Sequence, residues 1–72
     1  MLAQSLKRFR KTFHLTQKQV AQSIDIHERL YQRYEAGEVT PSVDVVSKIA
    51  NSFDVSADYL LGRTDNPNSH KL

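Results

Sequence analysis

Apolar residues return along this chain at steps of three and four, and the stretches between them carry the punctuation of short helices. Leu2, Leu6, Phe9 and Phe13 make one stripe, which predicts an amphipathic first helix closing at His14. The run "LTQKQV" predicts the start of a second: Thr16 caps it, Gln19 completes a capping box, and Leu15 can staple onto Val20. That helix ends near Ser23 or Ile24, too short to persist without packing on its neighbours. A later helix follows "TPS", with Ser42 as cap, Asp44 favourably placed in the first turn, and Val43, Val46, Ile49, Ala50 and Phe53 as its expected buried stripe. Val45 and Val46 alone would also suit a strand, but the spacing out to Phe53 favours helix. A last helix covers Ser56 to Leu61 and stops at Gly62, a natural position for a residue past a helix end.

Between these lies "IDIHERLYQRYEAG", a third helical stretch of mixed character. On a wheel of about 100° per residue with Glu28 at the origin, Gln32, Ala36, Arg29 and Arg33 fall within roughly 140° of one another. Leu30, Tyr31 and Tyr34 fall opposite and are expected in the core. The fold class is therefore all-α, with five short helices. They occupy a single domain over residues 1–62, and "RTDNPNSHKL", which has no apolar period, is expected to be a flexible C-terminal tail over 63–72.

A chain of 72 residues has room for one small core and not for a deep catalytic cleft. There is no cysteine, so neither a disulfide framework nor a thiolate metal site is available. His14, His27 and His70 are too far apart to share a helical face, and no metal site is expected. No signal-type segment or membrane-length apolar run is visible, so a cytoplasmic protein is expected. No triad, glycine-rich phosphate loop or cofactor motif appears; neither an enzyme nor a bound cofactor is expected.

The net charge of +2 conceals an asymmetry. Residues 1–37 hold seven Lys/Arg and three acids, a balance of +4, and residues 38–72 hold three bases and five acids, a balance of −2. The basic half suits a polyanion, although a solvated surface that happens to be basic gives the same count.

A capped short helix, a tight turn and a second short helix with a polar outer side are the parts of a helix-turn-helix. The run from Leu15 to Gly62, with "LKRFRK" before it, closely resembles the Xre family, the Cro/repressor-type DNA-binding domains of phages and bacteria. The features that agree are "LTQ" opening the second helix, Ala21 within it, "YEAG" closing the third, "PS" opening the fourth and "DVSADYLLG" ending the domain. The resemblance implies a compact five-helix bundle of the phage-repressor type, with the motif at about residues 17–36. It further implies a transcriptional repressor or regulator that binds double-stranded DNA, with the helix from about Glu28 to Ala36 in the major groove and base contacts from Glu28, Arg29, Gln32 and Arg33. Arginine can pair two donors with guanine, glutamine matches adenine, and a carboxylate can accept from cytosine. Phosphate contacts are expected from Arg10, Lys11, Gln17 and Lys18, the last two at a helix N-terminus where free N–H groups favour an anion. Lys7, Arg8 and Lys11 can equally be a solvated helix face. Arg10 and Glu35 match positions that form an ion pair in the phage-repressor relatives, against the alternative of two ordinary surface charges.

Three departures from the family pattern stand out. Asp25 takes the turn position usually held by glycine, and His27 stands where a serine or threonine cap is usual. Asp25 and Glu28 on their own fit a capping box, which would fold Glu28 back onto the backbone and away from bases. The loop "GEVTPS" carries Glu38 and no Lys or Arg, so phosphate contacts fall more heavily on the first two helices. Two copies on a pseudo-palindromic operator, as a homodimer at least on DNA, are expected, and the resemblance implies self-contact around Phe53 to Leu61. The other readings are a protein-interaction module, such as an antitoxin-like partner, and the DNA-binding half of a longer repressor.

Overall fold

All five helices among the described residues end in the same way, and that repetition is how so short a chain folds back on itself four times. The computed structural model describes residues 2–67. Its elements are α1 (Leu2–Thr12), α2 (Gln17–Ser23), α3 (Glu28–Ala36), α4 (Val43–Phe53) and α5 (Ala57–Leu60). Within two positions of each helix end stands a left-handed residue: His14, Asp25, Gly37, Asp54 and Gly62, with φ between 54° and 78°. The N–H of the next residue then reaches back to a carbonyl of the last turn: Leu15 to Arg10 at 2.9 Å, Ile26 to Ala21 at 3.0 Å, Glu38 to Arg33 at 3.0 Å, Val55 to Ala50 at 3.0 Å, and Arg63 to Asp58 at 2.8 Å. These closures satisfy carbonyls a helix end would leave bare. After α1, α2 and α4 the reaching residue is apolar, and Leu15, Ile26 and Val55 all pack on the core.

Helix starts follow the sequence closely. Thr16 and Gln19 form the reciprocal capping box, and the Ser42 and Ser56 hydroxyls accept from Val45 N–H and Tyr59 N–H. At α3 the cap is His27, whose side chain makes no capping bond. The alternative of a capping box between Asp25 and Glu28 is not formed among the described residues, because Asp25 is spent on ending α2 and Glu28 is the first residue of α3 rather than its third.

Leu6, Phe9, Val20, Tyr31, Ile49 and Leu60 are wholly excluded from solvent, and each such side chain stabilises the fold by about 1.5–3 kcal/mol. α3 packs against both α1 and α2, while α4 and α5 close the other side through α1 and α2. Tyr31 and Tyr34 are buried edge to face with ring centres 6.3 Å apart. Val43 departs from expectation at 81% exposure. It lies about 70° from the centre of the stripe made by Val46, Ile49, Ala50 and Phe53, on the turn that leads into the helix. Among the described residues no helix is long and apolar enough to cross a membrane.

Residues 63–67, the start of the expected tail, lie against the domain, and 68–72 with His70 are outside the described residues. Arg8 donates to Asp65 at 2.9 Å and to the Tyr59 carbonyl at 3.2 Å, with its guanidinium 4.8 Å from the centre of the Tyr59 ring. Ser56 N–H donates to the Pro67 carbonyl at 2.6 Å. Gly62 makes the turn into this segment, and a side chain there would collide with the Ser5 hydroxyl. Arg8 is thus turned toward α5, away from the face carrying Lys7 and Lys11, and holds residues 63–67 against the domain instead of standing free for a phosphate.

Three of the five left-handed positions hold side chains that disfavour that conformation. Asp25→Gly should raise unfolding stability by about 0.5–1 kcal/mol in urea titration, since strain relief exceeds the added chain entropy. An unchanged or lowered midpoint would show that the Asp25 side chain contributes a contact offsetting its strain.

Candidate nucleic-acid interface

The position of α3 is set by one carboxylate. Glu35 is buried, with its side chain 3% exposed, and it receives Arg10 Nε at 2.7 Å and Arg10 Nη2 at 3.0 Å, a two-pronged pairing. Gln17 Nε2 adds a third bond at 3.2 Å, and Arg10 Nη1 also donates to the Leu15 carbonyl at 3.1 Å. The node therefore joins α1, the turn into α2, α2 and α3. Burial opposes the charge on Glu35; the Arg10 bonds, with smaller help from the Tyr31 hydroxyl and Gln17, outweigh it and hold the carboxyl below its usual range. The same pairing raises the pKa of Arg10 still further. Burial and then the neighbouring carboxylate push the Tyr31 hydroxyl well above the ordinary phenol range. That hydroxyl lies beside Glu35 without a hydrogen bond of good geometry among the described residues.

With Glu35, Tyr31 and Tyr34 turned inward, Glu28, Arg29, Gln32, Arg33 and Ala36 face solvent. Arg29 makes no hydrogen bond or ion pair among the described residues, which leaves all its donors open. Arg33 Nε stands 3.9 Å from Glu38 Oε1, an exposed pair worth about 0–1 kcal/mol. Gln32 Nε2 donates to Glu28 Oε2 at 3.4 Å along one turn of the helix. Shallow grooves flank this face, one lined by His27, Glu28, Arg29, Leu30 and Arg33, the other by Arg29, Gln32, Arg33, Ala36 and Glu38.

A further groove separates α1 from α3, and Lys7, Lys11, Gln17 and Gln32 line it above the Arg10–Glu35 node. Lys11 and Lys18 are exposed and carry no partner among the described residues. Two of the expected phosphate residues are differently occupied. Arg10 spends Nε, Nη1 and Nη2 inside the fold with its side chain 18% exposed, and Gln17 directs one amide N–H at Glu35. Arg10 thus acts in the scaffold, and Gln17 keeps one free N–H and its carbonyl for a ligand. The Gln17 contact was not legible beforehand, because it spans 18 residues and nothing local announces it.

Comparison with known proteins agrees with this geometry. The family model described as Helix-turn-helix matches residues 6–60. The chain belongs to the Cro/repressor-type, or Xre, helix-turn-helix family. The uncharacterized HTH-type transcriptional regulator YobD of Bacillus subtilis is 42% identical over 67 residues, covering 93% of this chain and 60% of YobD. The cryptic phage CTXphi transcriptional repressor RstR of Vibrio cholerae is 41% identical over 54 residues, covering 75% of this chain and 48% of RstR. A crystal structure of a transcriptional regulator from Listeria innocua superposes with a TM-score of 0.76 at 28% identity, covering 89% of this chain and 60% of that one. This Xre-family chain thus spans about half to three-fifths of the length of these relatives. The residues matched to the family model run from Leu6 to Leu60, so they include the node and the whole exposed side of α3.

Because Glu35 is held below its normal pKa, its contribution to stability is fully present above the unfolded value near 4.5 and is lost as pH falls through the lower folded value. Glu35→Ala leaves Arg10 partly desolvated and uncompensated, and should cost about 3 kcal/mol in chemical denaturation at neutral pH. The gap between Glu35→Gln and the natural chain should shrink below that pH. A loss under about 0.5 kcal/mol for Glu35→Ala would return both residues to the class of surface charges.

Proposed function

We propose that this chain binds duplex DNA sequence-specifically as a transcriptional regulator, with α3 in the major groove. One observation carries the reading: Glu28, Arg29, Gln32 and Arg33 stand exposed on a single side of a helix whose other side is locked into the core. A helix fits the major groove, and these side chains offer the donors and acceptors that distinguish base pairs there. Arg29 and Arg33 take guanine, and Gln32 takes adenine. Lys11, Lys18 and the free part of Gln17 contact phosphate and set the register of the helix. The basic balance of residues 1–37 supports this orientation. Repression is the mode of action favoured by the resemblance to RstR, which is named a transcriptional repressor. Such a role implies an intracellular protein.

One such domain covers only a few base pairs, so the operator is a pseudo-palindrome bound by two copies, with reading helices about 34 Å apart or a multiple of that. Selection of bound duplexes from a random pool should return an inverted repeat. A consensus without one, bound at full affinity by a single copy, would contradict the dimeric reading.

On the selected site, Arg29→Ala should cost about 1–3 kcal/mol and relax the preference at one base pair. Lys18→Ala should weaken all sequences alike and lower the dependence of log K on log salt by about one unit. Both residues are exposed, so thermal melting should show stability within about 0.5 kcal/mol of the natural chain. If Arg29→Ala and Arg33→Ala both leave base preference untouched, α3 does not read DNA.

A further inference from the structure

The hydrogen bond between Glu28 and Gln32 bears on how the reading face is organised. A carboxylate accepts and cannot donate, so only the nitrogen end of the Gln32 amide can face Glu28. The carbonyl oxygen is thereby turned to the other side, and a glutamine that would otherwise rotate freely is held in one sense. One amide N–H is engaged by Glu28; the second N–H and the oxygen remain, a donor and an acceptor in fixed order. Adenine presents the complement in the major groove, an acceptor at N7 beside a donor at N6.

Glu28 is free for this task. It is not in a capping box, because Asp25 closes α2 in the left-handed conformation and His27 precedes α3. Among the described residues neither Arg29 nor Arg33 pairs with it, and Gln32 is its hydrogen-bond partner. One turn of helix separates the two side chains, the spacing at which such pairs meet. The carboxylate also sits in the first turn of α3, where the helix dipole favours a negative charge.

We infer that Glu28 is a positioning residue which holds the Gln32 amide in the sense that selects adenine, so that the two side chains read one base pair as a unit. This rests on the reading of α3 as the base-contacting helix, and it assigns Glu28 a role other than direct contact with a base.

Four proteins decide it: the natural chain, Glu28→Ala, Gln32→Ala and the double variant, each used to select duplexes from a random pool and each checked by thermal melting. Gln32→Ala should lower the preference for adenine at one base pair by about fivefold or more, the range of a single bidentate contact. Glu28→Ala should lower the preference at that same pair, and the double variant should lose no more than Gln32→Ala alone. Glu28→Gln, which can offer either end of its own amide, should give an intermediate loss while conserving shape. The salt dependence of binding should be unchanged in all of them, because no phosphate contact is altered. Relaxation of a different base pair by Glu28→Ala would mean direct contact by Glu28 and would overturn the inference. So would an unchanged preference in Glu28→Ala while Gln32→Ala relaxes its own pair; in that case α3 still reads DNA and only the coupling fails. If Gln32→Ala relaxes no base pair, the coupling falls along with the adenine contact assigned to Gln32.

Discussion

The Glu35 carboxylate is the fixed point of this molecule. It sits at the meeting of α1, α2 and α3, takes two bonds from Arg10 and one from Gln17, and is buried with the Tyr31 hydroxyl beside it. Burying a carboxylate is costly, and a node of this kind holds only when its lone pairs are met by well-directed donors. Three donors meet that condition here, and Arg10 is in turn anchored to the Leu15 carbonyl. An apolar replacement could fill the same volume, but it would not fix the rotation of α3 about its own axis. The charged pair does so, because a two-pronged guanidinium contact is satisfied in one orientation only.

Everything on the surface follows from that rotation. Glu35 clamps the edge of the buried side that Tyr31 and Tyr34 fill, which leaves Glu28, Gln32, Arg29 and Arg33 outward, and the pairing consumes Arg10 in the process. Arg8 is consumed on the opposite flank of α1 by Tyr59, Thr64 and Asp65. The basic half of the chain therefore has two kinds of cation. Arg8 and Arg10 flank the apolar stripe of α1 and pin neighbouring segments; Lys7, Lys11, Lys18, Arg29 and Arg33 remain directed at solvent. Placing arginine in the first set and lysine along the approach to α2 is physically apt, since the planar fork suits a fixed partner and the ammonium suits a phosphate reached from several angles.

The helices and their capped starts were legible because they are local. Thr16 with Gln19, Ser42 and Ser56 act within a few residues, and a period of three to four survives any packing arrangement. The left-handed turn at Asp25 and the weak cap at His27 were legible against the family pattern, which has glycine and a hydroxyl cap at those positions. The Arg10–Glu35 pair was anticipated only through resemblance, as was the identity of the reading helix, and no spacing rule yields either. What remained hidden depends on which helix lies beside which: the third bond from Gln17, the turning of Arg8 toward α5, and the exposure of Val43.

If α3 is presented by a preformed node and its outer side is the contact surface, DNA should perturb the face and leave the node alone. Nitrogen-15 NMR of the chain titrated with its selected duplex measures both at once. The account predicts large shifts at Glu28, Arg29, Gln32 and Arg33 and at Lys18, with the Arg10 Nε–H resonance present before binding and unmoved after it. An Arg10 Nε–H signal that moves or exchanges freely on binding, or shifts concentrated on α5 with α3 unaffected, would contradict it.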